Sequence, residues 1–128
     1  RLPAVEGDPE DAELVIYYFG EQAGTVEANI DRWCSQFAQP DGSDSRSVLV
    51  RRSRYVARRG VEEIELHGTY VAATMPGSGE RLDKPGFAML AAIVSSDHGP
   101  YYLKLVGPDR TIDHWRDSFT AFVSAIGP

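Results

Sequence analysis

Two stretches of this chain are apolar without interruption, Leu14-Val15-Ile16-Tyr17-Tyr18-Phe19 and Phe87 to Val94 (FAMLAAIV). A strand with one wet face alternates apolar and polar residues. Neither run does, so both are expected to be strands covered on both faces. After the first run, Val26, Ile30, Trp33 and Phe37 recur at helical spacing and form one stripe. Thr25 stands at the N-cap position, and Glu27 lies near the positive end of the helix dipole. A closing helix is marked by Ile112, Trp115, Phe119, Phe122, Val123 and Ile126, with Thr111 or Asp109 as its cap.

Between these units, Val48–Arg58 and Val61–Ala72 have the pattern of a hairpin hinged at Arg59-Gly60. Such a turn places Arg54 opposite Glu65 and Arg52 opposite His67. Tyr55, Ile64, Leu66 and Tyr70 then share one face, while Arg52, Arg54, Glu63, Glu65 and His67 share the other. Tyr101–Val106 is the strand returning from Phe87–Val94, and Lys104 is its only charge. Arg1–Asp11 is a polar lead-in, Gln39–Asp44 a turn-rich loop, and Ala73–Pro85 the longest irregular segment.

The order is therefore β-α-β-β-β-β-α. Connections between the later strands are too short for parallel crossovers. The fold class is α+β, a mainly antiparallel sheet sandwiched between helices in an α/β/α arrangement. The 128 residues make a single domain, with 42% hydrophobic and 25% charged residues, both ordinary for a globular protein. No apolar run is long enough to span a bilayer. The chain opens at Arg1 rather than Met, as in a processed product or fragment. A net charge of -6 disfavours nucleic acid as the main partner. The single Cys34 can form neither an internal disulfide nor a cysteine metal cluster, and as a mid-helix residue it is read as packing.

Candidate chemistry is sparse. Gly20-Glu21-Gln22-Ala23-Gly24-Thr25 lacks the lysine of a phosphate loop and the three-glycine spacing of a dinucleotide fingerprint, so it is a structural connector. His67, His98 and His114 show no HxH or HExxH spacing, and no GxSxG is present. No catalytic residue, cofactor or metal site is assigned. Arg51, Arg52, Arg54, Arg58 and Arg59 form a basic cluster facing Glu62, Glu63 and Glu65, and neutralisation across the hairpin is favoured over an anion site. Loops on a rigid scaffold often carry binding. The candidate partner-binding residues are Met75 and Leu82 in the long loop, with Arg52, Arg54 and His98.

The blocks AELVIYYFG, GTVEANIDRW with the following QF, HGTY, AMLAAIV and GPYYLKLVGP occur in this order along the chain. Together they resemble a family of uncharacterised bacterial proteins, many exported or lipid-anchored, with a fold similar to the PsbP/Mog1 group. The resemblance implies a further strand before Arg1, so that the chain lacks it or begins just inside it. It also implies a non-catalytic accessory or binding domain of the cell envelope or periplasm, with a protein or small ligand as partner. No binding residue can be transferred position by position. The rivals are a small hydrolase or metal-dependent enzyme built on His67, His98 and Asp97, and a secretion-type chaperone for apolar segments. A histidine within about 5 Å of another histidine or a carboxylate in a cleft would favour the enzyme. A long exposed hydrophobic groove would favour the chaperone.

Overall fold

The computed structural model describes residues 2–18, 25–56, 59–73, 79–96 and 99–125. Its elements are β1 (Glu13–Tyr18), α1 (Val26–Cys34), β2 (Phe37–Ala38), α2 (Ser45–Val48), β3 (Val50–Val56), β4 (Arg59–Tyr70), β5 (Lys84–Val94), β6 (Tyr101–Pro108) and α3 (Asp109–Ala125). The sheet runs β1-β6-β5-β4, with β2 and β3 sharing the outer edge of β4, and every pairing is antiparallel. The protein is an α+β domain.

Strand alternation sends residues to two separate cores. On one face Val61, Leu90, Ala92, Leu103 and Leu105 pack with Ile112, Phe119 and Val123 of α3. On the other, Ile64, Leu66, Met89, Ile93 and Tyr102 pack with Ile30 and Trp33 of α1. This two-sided cover explains the unbroken run of β5, which is buried from Phe87 to Val94. Thr25 caps α1, its Oγ1 accepting from the Ala28 N–H at 3.0 Å.

Several sequence expectations are corrected. β1 is an edge strand, not one covered on both faces: Ile16 and Tyr18 are 51% and 46% exposed. α3 packs against β5 and β6, so the outer strand is left half-covered. The hairpin pairs Val56 with Arg59, Arg54 with Val61 and Arg52 with Glu63, so each β3 residue meets a partner four residues earlier in β4 than expected. A slip of four preserves which side chains share a face, because it is a multiple of the two-residue side-chain period. It nevertheless moves Tyr55 next to the turn of the hairpin, opposite Gly60, where it is 82% exposed instead of buried beside Ile64. Phe37 is buried but belongs to β2, since α1 ends at Cys34, its last residue rather than a mid-helix one. Val48 lies in α2, and β5 begins at Lys84. Phe122 is 43% exposed, whereas Phe119 and Val123 turn inward.

The α3 cap is also different. Thr111 lies inside the helix, buried, its hydroxyl donating to Asp8 at 2.6 Å and accepting from the Val5 N–H at 3.1 Å. The lead-in is therefore tied down, and Leu2 and Ala12 exchange backbone hydrogen bonds of 2.9 Å. Gly68, at the register shift in β4, passes so close to β2 that a Cβ there would lie 2.8 Å from the Ala38 carbonyl oxygen.

Candidate ligand-binding site

Alternation along β6 sends Tyr102, Lys104 and Val106 toward the α1 side of the sheet. Tyr102 and Val106 join that core. Lys104 does so as a cation, only 6% exposed, at the base of a cleft of about 280 Å³. Val15 of β1 and Ala91 of β5 flank it in the sheet. Its Nζ donates to the Gln36 Oε1, from the turn after α1, and lies 5.6 Å from the centre of the Tyr70 ring. A cation over an aromatic face is attracted by the ring quadrupole, the more so when water is excluded.

The walls set aromatic and apolar side chains beside charged ones. Tyr70 stacks on Phe87 with ring centres 6.0 Å apart and also packs against Phe37 at 5.2 Å, which restrains the ring that faces Lys104. Tyr17, Val15 and Val106 close one flank and Leu82 the mouth. Leu82 is held there by its N–H bond of 2.9 Å to the Ala72 carbonyl, next to the bridge between Ala73 and Arg81. The rim carries Glu10, Asp11, Glu13 and Lys84, with Lys84 and Glu10 paired at 2.8 Å.

The electrostatics follow from this geometry. Burial, reinforced by the Arg32 charge and only partly opposed by Glu13, lowers the Lys104 pKa to about 8. At neutral pH the group is still an ammonium, held where an ammonium is costly. Burial also raises the Tyr70 phenol, with the charges of Tyr17 and Glu13 acting in the same direction.

A second cleft, about 460 Å³, lies between α3 and the β3–β4 hairpin and includes Arg52, Glu63, Glu65, Arg116 and Asp117. Most of its charges are paired. Arg116 holds both carboxylate oxygens of Glu65, with Nη2 to Oε2 at 3.1 Å. Glu65 accepts from His67 at 2.6 Å, and the other His67 nitrogen lies 2.7 Å from Asp109. Arg54 pairs with Glu63, not with Glu65, and reaches Ser124 at 3.1 Å. The Arg116 hydrogen bond pulls the Glu65 pKa down against the opposing effect of burial. Burial disfavours charge on His67, but Glu65 and Asp109 together outweigh it and raise its pKa. His67 thus meets the distance criterion for a working site. Yet both ring nitrogens are already engaged by carboxylates, leaving neither for a metal or a substrate proton.

Of the residues singled out from sequence, Leu82 lines the lysine cleft, and Arg52 and Arg54 lie on the hairpin face toward α3. Met75, His98, Asp97 and the Gly20–Gly24 connector lie outside the described residues. Among the described residues no group of three or more His, Cys, Asp or Glu side chains is placed to hold a metal ion, and no helix is long and apolar enough to cross a membrane. Cys34 is buried, and desolvation raises its thiol pKa, as befits a packing residue. Sequence reasoning passed over Lys104. The available signal was a lone lysine inside an otherwise apolar strand, at a position where alternation demands burial.

No protein-family model matches the chain, and no curated protein matches it by sequence. Among solved structures it is similar to PA94, a protein of unknown function from Pseudomonas aeruginosa put forward as a regulator. The TM-score is 0.60 at 12% identity, over 99% of this chain and 78% of the other. At that identity the likeness concerns the fold alone.

Proposed function

We propose that this chain is a non-catalytic binding domain, an accessory module of the bacterial cell envelope, which holds a small ligand in the Lys104 cleft. The observation that carries the binding reading is a buried ammonium at the base of an aromatic-walled cleft. A concave site that sets aromatic and apolar side chains beside a few convergent polar groups is the usual make-up of a ligand site. The envelope assignment rests on the sequence resemblance to exported bacterial proteins with a PsbP/Mog1-like fold, whose α/β/α layering agrees with helices α1 and α3 packing on opposite faces of one sheet.

The enzyme reading has its best footing at His67, with carboxylates at 2.6 and 2.7 Å. A histidine clamped between two carboxylates, one of them held by Arg116, is better suited to tying α3 to β4 than to general-base work, which needs a ring nitrogen open to substrate. The chaperone reading has less support. Among the described residues the exposed large apolar side chains are split between β1 (Ile16, Tyr18), α2 and the hairpin (Val48, Val50, Tyr55) and α3 (Phe122).

The test is a fragment screen of charged and neutral small molecules, followed by amide chemical shifts. Perturbations centred on Tyr17, Tyr70, Leu82 and Val106 are expected. Hits that cluster instead around His67 and Asp109, or turnover of an ester or amide panel lost in His67→Ala, would overturn the reading. Fractionating cells that make the full gene product tests the envelope assignment, which recovery in the cytosol would refute.

A further inference from the structure

We infer that the ligand of the Lys104 cleft is a small monocarboxylate, its carboxylate on the Lys104 ammonium and its apolar body between Tyr17, Tyr70 and Leu82. The inference deepens the binding reading above and depends on it.

An ammonium has three N–H donors. The described contacts of Lys104 are one acceptor, the Gln36 Oε1, and one aromatic face, Tyr70. Both are neutral groups. A buried cation whose direct contacts are both neutral is incompletely compensated, and a carboxylate in direct contact supplies charge and lone pairs together. The charged groups around it sharpen the choice. Arg32 of α1 adds positive potential from one side, and Glu13 of β1 offsets it from the other. Glu10 at the rim is already taken by Lys84, and Asp11 accepts the Ala4 N–H at 2.9 Å. Three carboxylates at the rim against Lys84 leave the mouth negative, which disfavours a dicarboxylate or a phosphate ester but leaves one carboxylate at the base acceptable. The walls set the rest of the molecule. A space of about 280 Å³, floored by Val15 and walled by two tyrosine rings, suits one aromatic ring or a branched aliphatic chain.

The proton balance gives the inference a distinctive signature. A carboxylate stabilises the ammonium, so binding raises the Lys104 pKa and takes up protons near pH 8. Affinity then falls as pH rises past that point, where the free site loses its charge.

The experiment titrates the folded domain with 3-phenylpropionate, its neutral amide 3-phenylpropanamide, and the dicarboxylate phenylsuccinate, by calorimetry in buffers of differing ionisation enthalpy and by amide shifts. The monocarboxylate should bind at least tenfold more tightly than the amide, with the dicarboxylate weaker. Its affinity should fall more than tenfold between pH 7 and 9.5, with net proton uptake near pH 8. Lys104→Met should abolish the preference for the acid over the amide. Leu82→Asp at the mouth should weaken the acid more than the amide, which guards against a folding artefact at the buried site. An amide that binds in the cleft as well as the acid overturns the ligand class while leaving a binding domain. No binding of any of the three at the cleft, or an acid preference that survives in Lys104→Met, overturns the inference itself. The fragment screen then decides separately whether the binding reading stands.

Discussion

Lys104→Met tests the central feature of this structure without needing a ligand. The side chain is 6% exposed, and its pKa is about 8 against 10.5 for a free lysine. That difference of 10.5 - 8 = 2.5 units corresponds to about 3 kcal/mol of disfavoured charge at pH 7. Methionine matches the stem in volume and carries no charge, and such replacements of buried ions are often neutral or stabilising by about 1–4 kcal/mol. Loss of the Tyr70 contact and of the bond to Gln36 takes back part of the gain. We expect a net stabilisation of about 1–3 kcal/mol at pH 7. The sign of the pH dependence follows from linkage. Between pH 8 and 10.5 the unfolded chain holds a proton that the folded chain has released, so wild-type stability rises with pH across that window, by up to about 1.4 kcal/mol per unit. The variant lacks this rise, and the gap between the two proteins closes by pH 10. Urea unfolding followed by the fluorescence of Trp33 and Trp115, at pH 7, 8, 9 and 9.5, measures it. A variant less stable than wild type by more than 1 kcal/mol at pH 7, or a gap that does not shrink as pH rises, would refute the account of Lys104 as a strained buried cation.

Trp33→Ala and Phe119→Ala empty the two cores on opposite faces and should each cost about 3–5 kcal/mol in the same unfolding assay, whereas Tyr55→Ser at the exposed hairpin end should change stability by less than about 0.5 kcal/mol. His67 should titrate above the ordinary histidine value of 6.5 by NMR, and Glu65→Gln should bring its midpoint down. Because its folded pKa is raised, its share of stability is present below pH 6.5 and disappears as pH climbs through the folded value. Binding to single-stranded or duplex nucleic acid should be weak and lost near 150 mM salt, since Arg51 and Arg54 are already paired with glutamates. Sub-micromolar affinity that persists at that salt and is lost in Arg52→Ala plus Arg54→Ala would contradict this. Elemental analysis of protein purified without chelator should find no stoichiometric zinc, copper or iron.

What the sequence determined by itself was whatever depends on local period. The unbroken apolar run of β5, the α1 stripe of Ile30 and Trp33 behind the Thr25 cap, and the division of the hairpin into an apolar and a charged face all follow from spacings within one segment. The face division survived a wrong register because a slip of four residues, an even number, leaves it unchanged. Tertiary structure alone decided which strand lies at the edge. β1 and β5 look alike as strings, but only β5 has a neighbour on each side and a helix on each face, so Ile16 and Tyr18 are left half in solvent. Thr111 likewise has the local profile of a cap, yet long-range bonds to Asp8 and Val5 hold it inside the helix. The Lys104 cleft belongs to the same class. Gln36, Tyr70, Leu82, Glu13 and Lys104 come from five separate stretches of chain, and a burial cost on an ammonium exists only once folding has placed the others around it.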